Sequence, residues 1–190
     1  APDPHAAESA RLLEDLALGR RVRLYYPGLT RDRYDRALAH VVTEDGAGPQ
    51  YWLNEEMVRR GAAWVRLYPD TAARGQALLE LEATARAERL GVWATSRFAV
   101  FEVSDLPEAA RGFYVVKARL GPILPVVEET RYPPACRRAL EATDLTLDIR
   151  RSARSACGLA EGAWVLLRGY LSDGRLDLTY PRHLETLPEG

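Results

Sequence analysis

The chain has 190 residues, of which 47% are hydrophobic and 28% are charged, enough apolar material for one large or two small domains. Its 26 basic and 27 acidic residues leave a net charge of −1, so no global positive field attracts nucleic acid, and such binding would need a local basic patch. No apolar run approaches the roughly 20 residues of a membrane-spanning helix, so no transmembrane segment is expected.

The first predicted elements are a helix and two strands. Residues 5–18 carry apolar side chains at three- and four-residue steps and end at Gly19, which predicts an amphipathic helix. The segment 21–26, RVRLYY, alternates as a strand does, and the Pro27-Gly28 pair that follows predicts a turn. Residues 31–42 begin with charge and then alternate loosely, as a half-buried strand would.

Two further helices are predicted between residues 54 and 91. Asn54 is expected to cap a short helix with acidic residues in its first turn, and Gly61 provides the stop signal. Thr71 is expected to cap a long helix that ends at Gly91, after which Trp93 folds back onto the core.

The C-terminal half changes to a strand-like composition rich in β-branched and aromatic residues. Its predicted strands are residues 98–103, 113–120, 123–129, 143–150, 163–171 and 175–180. The last two flank Ser172-Asp173-Gly174, a turn sequence, and are expected to pair as a hairpin. Residues 133–141 start with proline and are predicted to make one or two helical turns. The segment from 98 to 190 is therefore predicted to be a second, mostly β domain.

The two cysteines, Cys136 and Cys157, are too few and too widely separated for a zinc site. They are either two buried free thiols or one disulfide formed in an oxidising compartment. The sequence leaves both open.

Three blocks of sequence carry a family resemblance. The blocks are DRYDRALA at 32–39, WLNEEMVRRGAAWV at 52–65 and EATARAERLGVWA at 82–94. In this order and at nearly this spacing they resemble the staphylococcal nuclease (thermonuclease) family over roughly residues 1–95. The resemblance implies a small five-stranded OB-type barrel with three helices that cleaves DNA and RNA phosphodiesters with Ca²⁺. The later run LLRGYLSDGRLDLTYPRHLETL is similar to the small β-domain that follows the nuclease domain in bacterial members.

The predicted fold class is α+β, with two domains. Residues 1–95 are expected to form a partial, thermonuclease-like OB fold with three helices. Residues 21–26 and 36–43 match the family's fourth and fifth strands and are expected to pair with each other. Residues 98–190 are expected to form an incomplete OB-like barrel. The family's first three strands have no match in the chain, and two strands cannot close a five-stranded barrel. The open sheet edge is a liability, so we expect a separate N-terminal fragment, the C-terminal β-domain or a partner protein to cover it.

The resemblance also assigns candidate site residues. Arg36 matches the family's phosphate-gripping arginine, and Asp3 stands near the position of its catalytic glutamate. Arg33 and Tyr34 match positions that contact the terminal phosphate and the nucleotide, and Tyr68 lies near a nucleotide-stacking tyrosine. No metal ligand set is predicted in this chain, so Ca²⁺ is expected only in a complete nuclease.

Asp35 departs from the family, which has glycine at that position. Its carboxylate is expected to pair with Arg36 and to repel a phosphate. Together with the unmatched strands and the near-neutral charge, this favours a non-catalytic protein that acts as a binding or accessory subunit of a larger assembly. The alternative is a Ca²⁺-dependent nuclease completed by the missing strands. Nucleic-acid binding is expected to be weak.

The start of the chain, Ala1-Pro2-Asp3-Pro4, fits either a mature exported protein or a trimmed fragment. We therefore expect a periplasmic or secreted location.

Overall fold

The structure, a computed structural model, describes residues 5–44, 46, 48–107, 109–127 and 131–188. The chain divides into two compact units, Ala1–Phe98 and Ala99–Gly190, and each is considered by itself. None of the helices in the described ranges combines the length and apolar character needed to cross a bilayer.

The described part of the first unit contains three α-helices, as predicted: α1 (Ala6–Ala17), α2 (Leu53–Arg59) and α3 (Gly75–Ala87). The predicted glycine stops of the first two helices are confirmed, because Gly19 and Gly61 follow α1 and α2 at φ values of 74° and 66°, a region that glycine enters without steric cost. The predicted stop of the long helix at Gly91 is wrong: α3 ends at Ala87, and the left-handed residue that follows it is Arg89 at φ 55°.

The predicted caps of α2 and α3 are wrong. The Asn54 side chain accepts a hydrogen bond from the Val41 N–H at 2.9 Å and so ties the helix to a strand instead of capping it. Thr71 belongs to a 3₁₀ turn at Pro69–Thr71, and α3 begins after Arg74, which is left-handed at φ 59°.

The sheet of the first unit has two strands within the described residues: β1 (Val22–Tyr25) and β2 (His40–Thr43). They pair antiparallel from Val22↔Thr43 to Tyr25↔His40, which confirms the predicted pairing. The second strand is shorter than predicted, because residues 31–39 form a loop with a single bridge between Arg31 and Ala37. The core lies between β2 and the helices and includes Leu16, Val42, Leu53, Val58, Val65, Leu67, Leu78, Ala85 and Trp93.

The second unit is a β-barrel. Its described strands are β3 (Phe101–Glu102), β4 (Gly112–Leu124), β5 (Cys136–Leu140), β6 (Thr146–Ile149), β7 (Trp164–Ser172), β8 (Arg175–Leu178) and β9 (Leu184–Thr186). The strand order is β4-β5-β6-β8-β7, and β7 pairs with β4 to close the circle. A five-stranded closed barrel of this kind is an OB fold. The OB-like prediction is therefore confirmed, whereas the expectation that the barrel is incomplete is wrong.

Two local predictions in the second unit are corrected by the barrel. Residues 136–140, within a predicted helical stretch, form strand β5, which pairs with β4 on one side and β6 on the other. The segments predicted as separate strands at 113–120 and 123–129 contribute to a single long β4, with a register shift between Leu120 and Ile123. The predicted hairpin of β7 and β8 is confirmed.

Cys136 and Cys157 form a disulfide, with their Cα atoms 6.1 Å apart. The bond joins β5 to the 3₁₀ segment Arg151–Gly158, which follows β6. This decides between the two alternatives that the sequence left open.

Candidate nucleotide-binding site

The site is built on a turn that the side chain of Asp32 closes. Its Oδ1 accepts hydrogen bonds from the backbone N–H groups of Tyr34 and Arg36 at 2.9 and 3.0 Å, and its backbone oxygen accepts from the Asp35 N–H at 3.0 Å. Asp35 is left-handed at φ 62°, a conformation that Asp tolerates better than most residues. The loop is thereby held in a fixed shape.

Asp32 also orients the guanidinium of Arg36. The Arg36 Nε donates to Asp32 Oδ2 at 2.6 Å, while 73% of the Arg36 side chain stays exposed. This hydrogen bond is the main cause that lowers the pKa of Asp32, with smaller help from the two backbone N–H donors, against the opposing effect of desolvation. The same hydrogen bond raises the pKa of Arg36. Arg36 is thus a permanently charged, accessible group of defined direction.

Asp35 does not pair with Arg36, contrary to one of the two expectations. Its carboxylate lies 3.1 Å from Arg31, and its side chain is 84% exposed. The arginine expected to bind phosphate and the carboxylate expected to block it therefore have separate partners.

An exposed tyrosine lies beside the arginines of this loop. Tyr34 is 64% exposed, and its ring centre lies 4.8 Å from the Arg33 guanidinium carbon and 5.2 Å from that of Arg36. Two guanidinium groups over one ring form a cationic and aromatic surface of the kind that binds phosphates and bases.

Tyr68 reaches the same region from the segment that precedes α3. Its electrostatic effect is the smallest of the contributions that raise the pKa of Arg36. The backbone explains the approach: a Cβ on Gly28 would lie 1.8 Å from the carbonyl oxygen of Asp70, so the loop before Arg31 rests directly on the chain that follows Tyr68. Of the predicted site residues, Arg33, Tyr34 and Arg36 are brought together in one loop. Tyr68 lies two residues before Asp70, against which the preceding part of that loop packs, and Asp3 lies outside the described residues.

Sequence reasoning missed Arg66. Its guanidinium carbon lies 5.1 Å from the centre of the Tyr68 ring. The alternation of Val65, Arg66, Leu67 and Tyr68 was the available signal, since it predicts that residues 66 and 68 share the solvent face of an extended segment.

The donor set of the described residues does not fit the Ca²⁺ that the family uses. No group of three His, Cys, Asp or Glu side chains that could hold a metal is found among those residues. The carboxylates nearest to Arg36 along the chain, those of Asp32 and Asp35, are both engaged by arginines, whereas Ca²⁺ takes six to eight oxygen ligands.

An open groove of about 520 Å³ lies in the first unit. Its apolar lining includes Leu13, Leu38, Val41, Leu53, Trp64 and Leu78. Residues 37–41, which include the start of β2, form part of its lining.

The family model described as staphylococcal nuclease homologue matches residues 2–95. This part of the chain therefore belongs to the thermonuclease family, and the chain is a thermonuclease-like protein with a second, OB-type unit. Among curated proteins, none matches the sequence. The relation of residues 98–190 to the small β-domain of bacterial members stays a prediction.

Proposed function

We propose that this chain is a non-catalytic binding subunit of a larger assembly, in which a protein segment covers β1 and the candidate site residues Arg33, Tyr34, Arg36 and Tyr68 bind nucleotides. The observation that carries the proposal is the exposure of β1. All four residues of that strand are exposed, including Val22 at 40% and Leu24 at 43%. In the described residues β1 has β2 as its one strand neighbour, so its other edge presents backbone groups to a further strand.

The chemistry of this surface supports an extended, apolar segment as the occupant. Leu24 is the register partner of Val41, and Val41 also lines the apolar groove. A strand added beside β1 would pair its backbone and bury alternate side chains against these residues. The polypeptide that supplies the segment is an N-terminal fragment or a partner protein.

The test is whether the chain is found with a partner. We expect a second polypeptide in fixed stoichiometry when the protein is isolated from its source, and self-association when the recombinant chain is studied alone by size-exclusion chromatography with light scattering. Leu24→Lys places a charge on the exposed strand and is expected to prevent both kinds of association. Ile123→Lys, which alters an exposed aliphatic residue of the second unit, is the matched control. A monodisperse wild-type monomer with a cooperative melt would contradict the proposal.

The second candidate is a Ca²⁺-dependent nuclease. The observation in its favour is the exposed and oriented Arg36, which suits charge stabilisation at a phosphoryl group. Such activity needs carboxylates from outside the described residues. We expect the 190-residue chain alone to release no acid-soluble nucleotides from DNA or RNA with Ca²⁺. Ca²⁺-dependent release that Arg36→Ala abolishes would establish the nuclease instead.

We also propose a periplasmic or secreted location. The disulfide between Cys136 and Cys157 supports it, because such bonds persist in oxidising compartments. Labelling of thiols in denatured, unreduced protein from the native source is expected to find neither cysteine free; two labelled cysteines would contradict the location.

A further inference from the structure

We propose that the second unit binds anionic membrane surfaces through one end of its barrel, where exposed arginines adjoin exposed apolar side chains. The arginines lie on the 3₁₀ segment Arg151–Gly158 and on the 3₁₀ turn Pro181–His183, which pack against each other. The apolar side chains lie at the end of β4 and in the β4–β5 connection, residues 125–135. All these elements belong to the second unit, so the proposal does not depend on a partner at β1 or on nucleotide binding in the first unit.

The 3₁₀ segment is anchored on one side and charged on the other. Ala153 and Ala156 are 0% and 7% exposed and belong to the apolar core of the barrel. Arg151 and Arg154 are exposed, and neither forms a hydrogen bond or an ion pair with a residue that the structure describes. Arg182, also exposed, places a third guanidinium on the neighbouring turn. This end of the barrel therefore presents several positive charges to solvent.

The carboxylate nearest to this end along the strands does not neutralise those arginines. Asp177 lies one residue before the end of β8, and its Oδ1 accepts a 2.8 Å hydrogen bond from the Nε of Arg150. Glu128 and Glu129, in the β4–β5 connection, lie outside the described residues. Because their charge opposes an anionic surface, we expect the 3₁₀ elements to provide the electrostatic attraction and the connection to provide the apolar contact.

Two contacts hold the β4–β5 connection beside the arginines. The Nη1 of Arg150, the residue before the 3₁₀ segment, donates a hydrogen bond to the carbonyl oxygen of Tyr132 at 2.9 Å. The disulfide between Cys136 and Cys157 joins the first residue of β5 to the same 3₁₀ segment. The connection is thus tied to the charged segment on either side of its last residues.

The apolar side chains of this region project into solvent. Val127 is 81% and Tyr132 is 71% exposed, and Ile123, near the end of β4, is 60% exposed. These are three of the four large hydrophobic side chains that are exposed in the described part of the second unit, and they lie within residues 123–132. Single exposed apolar residues are common, whereas a group of them marks an interaction surface.

A lipid surface offers both kinds of contact that this region needs. Anionic headgroups attract arginines, by about fivefold in affinity for each basic residue near the surface. A tyrosine ring is suited to the headgroup level, and aliphatic side chains enter the boundary of the acyl chains. A nucleic acid would pair its phosphates with the arginines but has no apolar region for Val127 and Ile123. The combination of charge and aliphatic exposure therefore favours lipid.

The test is flotation of the 190-residue chain with lipid vesicles in a density gradient, in which vesicle-bound protein rises and self-associated protein sinks. One set of vesicles contains equal parts of phosphatidylglycerol and phosphatidylcholine, and the other contains phosphatidylcholine alone. We expect the wild type to float with the anionic vesicles only and to detach as the salt concentration rises. Arg151→Gln combined with Arg154→Gln should weaken this binding roughly 30-fold, because two charges are lost.

Two further pairs of substitutions are the controls for charge. Arg151→Lys combined with Arg154→Lys keeps both charges and should retain flotation. Arg111→Gln combined with Arg119→Gln removes the same charge from two exposed arginines of the second unit that form ion pairs elsewhere, and it should leave flotation unchanged. Circular dichroism checks that each variant keeps its thermal transition. Equal losses in the two glutamine pairs would overturn the assignment to this end of the barrel.

Val127→Ser combined with Tyr132→Ser separates a membrane from a soluble polyanion. We expect this pair to weaken flotation and to leave any binding of labelled oligothymidylate or polyglutamate unchanged. Flotation that the serine pair leaves intact, with polyanion binding that the Arg151 and Arg154 glutamine pair abolishes, would assign the surface to nucleic acid or an acidic protein and overturn the proposal. No flotation of the wild type with anionic vesicles, or equal flotation with neutral ones, would overturn it as well.

Discussion

Asp32 has two structural tasks in the candidate site. One carboxylate oxygen closes the turn through the N–H groups of Tyr34 and Arg36, and the other holds the Arg36 guanidinium. A single side chain therefore couples the shape of the loop to the direction of the charge that would meet a phosphate. Asp35 completes the turn in a left-handed conformation, where the family has glycine.

The lowered pKa of Asp32 predicts a pH dependence. The stabilisation that the ionised carboxylate gives to the turn is fully present above the ordinary Asp value of 3.8 and is lost as the pH falls below it through the lowered native value. NMR titration of the Asp32 side-chain carbonyl carbon should give a pKa below 3.8. Arg36→Ala should raise that pKa towards the ordinary value, because it removes the main cause of the shift. Arg31→Ala is the control, and an equal effect of the two variants would contradict the assignment.

At the scale of elements, β5 shows that tertiary contacts determine whether a segment with an ambiguous sequence pattern forms a helix or a strand. The prolines that precede Cys136 suggested a helix entry, yet residues 136–140 gain hydrogen-bonded neighbours on both sides as a strand. Its side chains are also engaged: Arg137 forms a buried ion pair with Asp148, and the Arg138 Nε donates to the Gly121 carbonyl oxygen at 3.1 Å. The disulfide then connects the strand to the following 3₁₀ segment.

Removal of the disulfide should destabilise the second unit. The bond joins residues 21 positions apart. Closing a loop of this size lowers the conformational entropy of the unfolded chain, which stabilises the folded state by roughly 3 kcal/mol. Cys136→Ser combined with Cys157→Ser should lower the free energy of unfolding by about this amount in urea. Wild-type protein in reductant should show the same shift of the midpoint. A midpoint that neither treatment changes would contradict the prediction.

At the scale of the whole molecule, the two units differ in whether the edge strands of their sheets have a neighbouring strand. The barrel of the second unit closes on itself through the pairing of β4 with β7 and surrounds a continuous apolar core. The sheet of the first unit has two strands within the described residues, one of them exposed along its length. A closed barrel has no free edge, whereas an open one needs a further strand.

Separate expression of the units should reveal this difference. We expect residues 99–190 to be a monomer with a cooperative thermal transition, because their barrel is closed. Residues 1–98 should self-associate, because exposed apolar strand edges are a template for pairing. Size-exclusion chromatography with light scattering and circular dichroism measure both properties. A cooperative, monomeric fragment 1–98 would show that its exposed strand needs no cover.

The sequence by itself determined the features that depend on neighbouring residues. Periodicity located α1, glycine marked the ends of α1 and α2, and the turn sequence at 172–174 located the β7–β8 hairpin. The three family blocks located Arg33, Tyr34 and Arg36. The tertiary structure decided the rest: the closure of the second barrel, the partner of Asp35, the disulfide, and the position of Arg66 beside Tyr68. These depend on which distant segments meet, and local periodicity carries no information about register between strands as far apart as β4 and β7. Packing selects that register, because it buries one face of each strand in a common core.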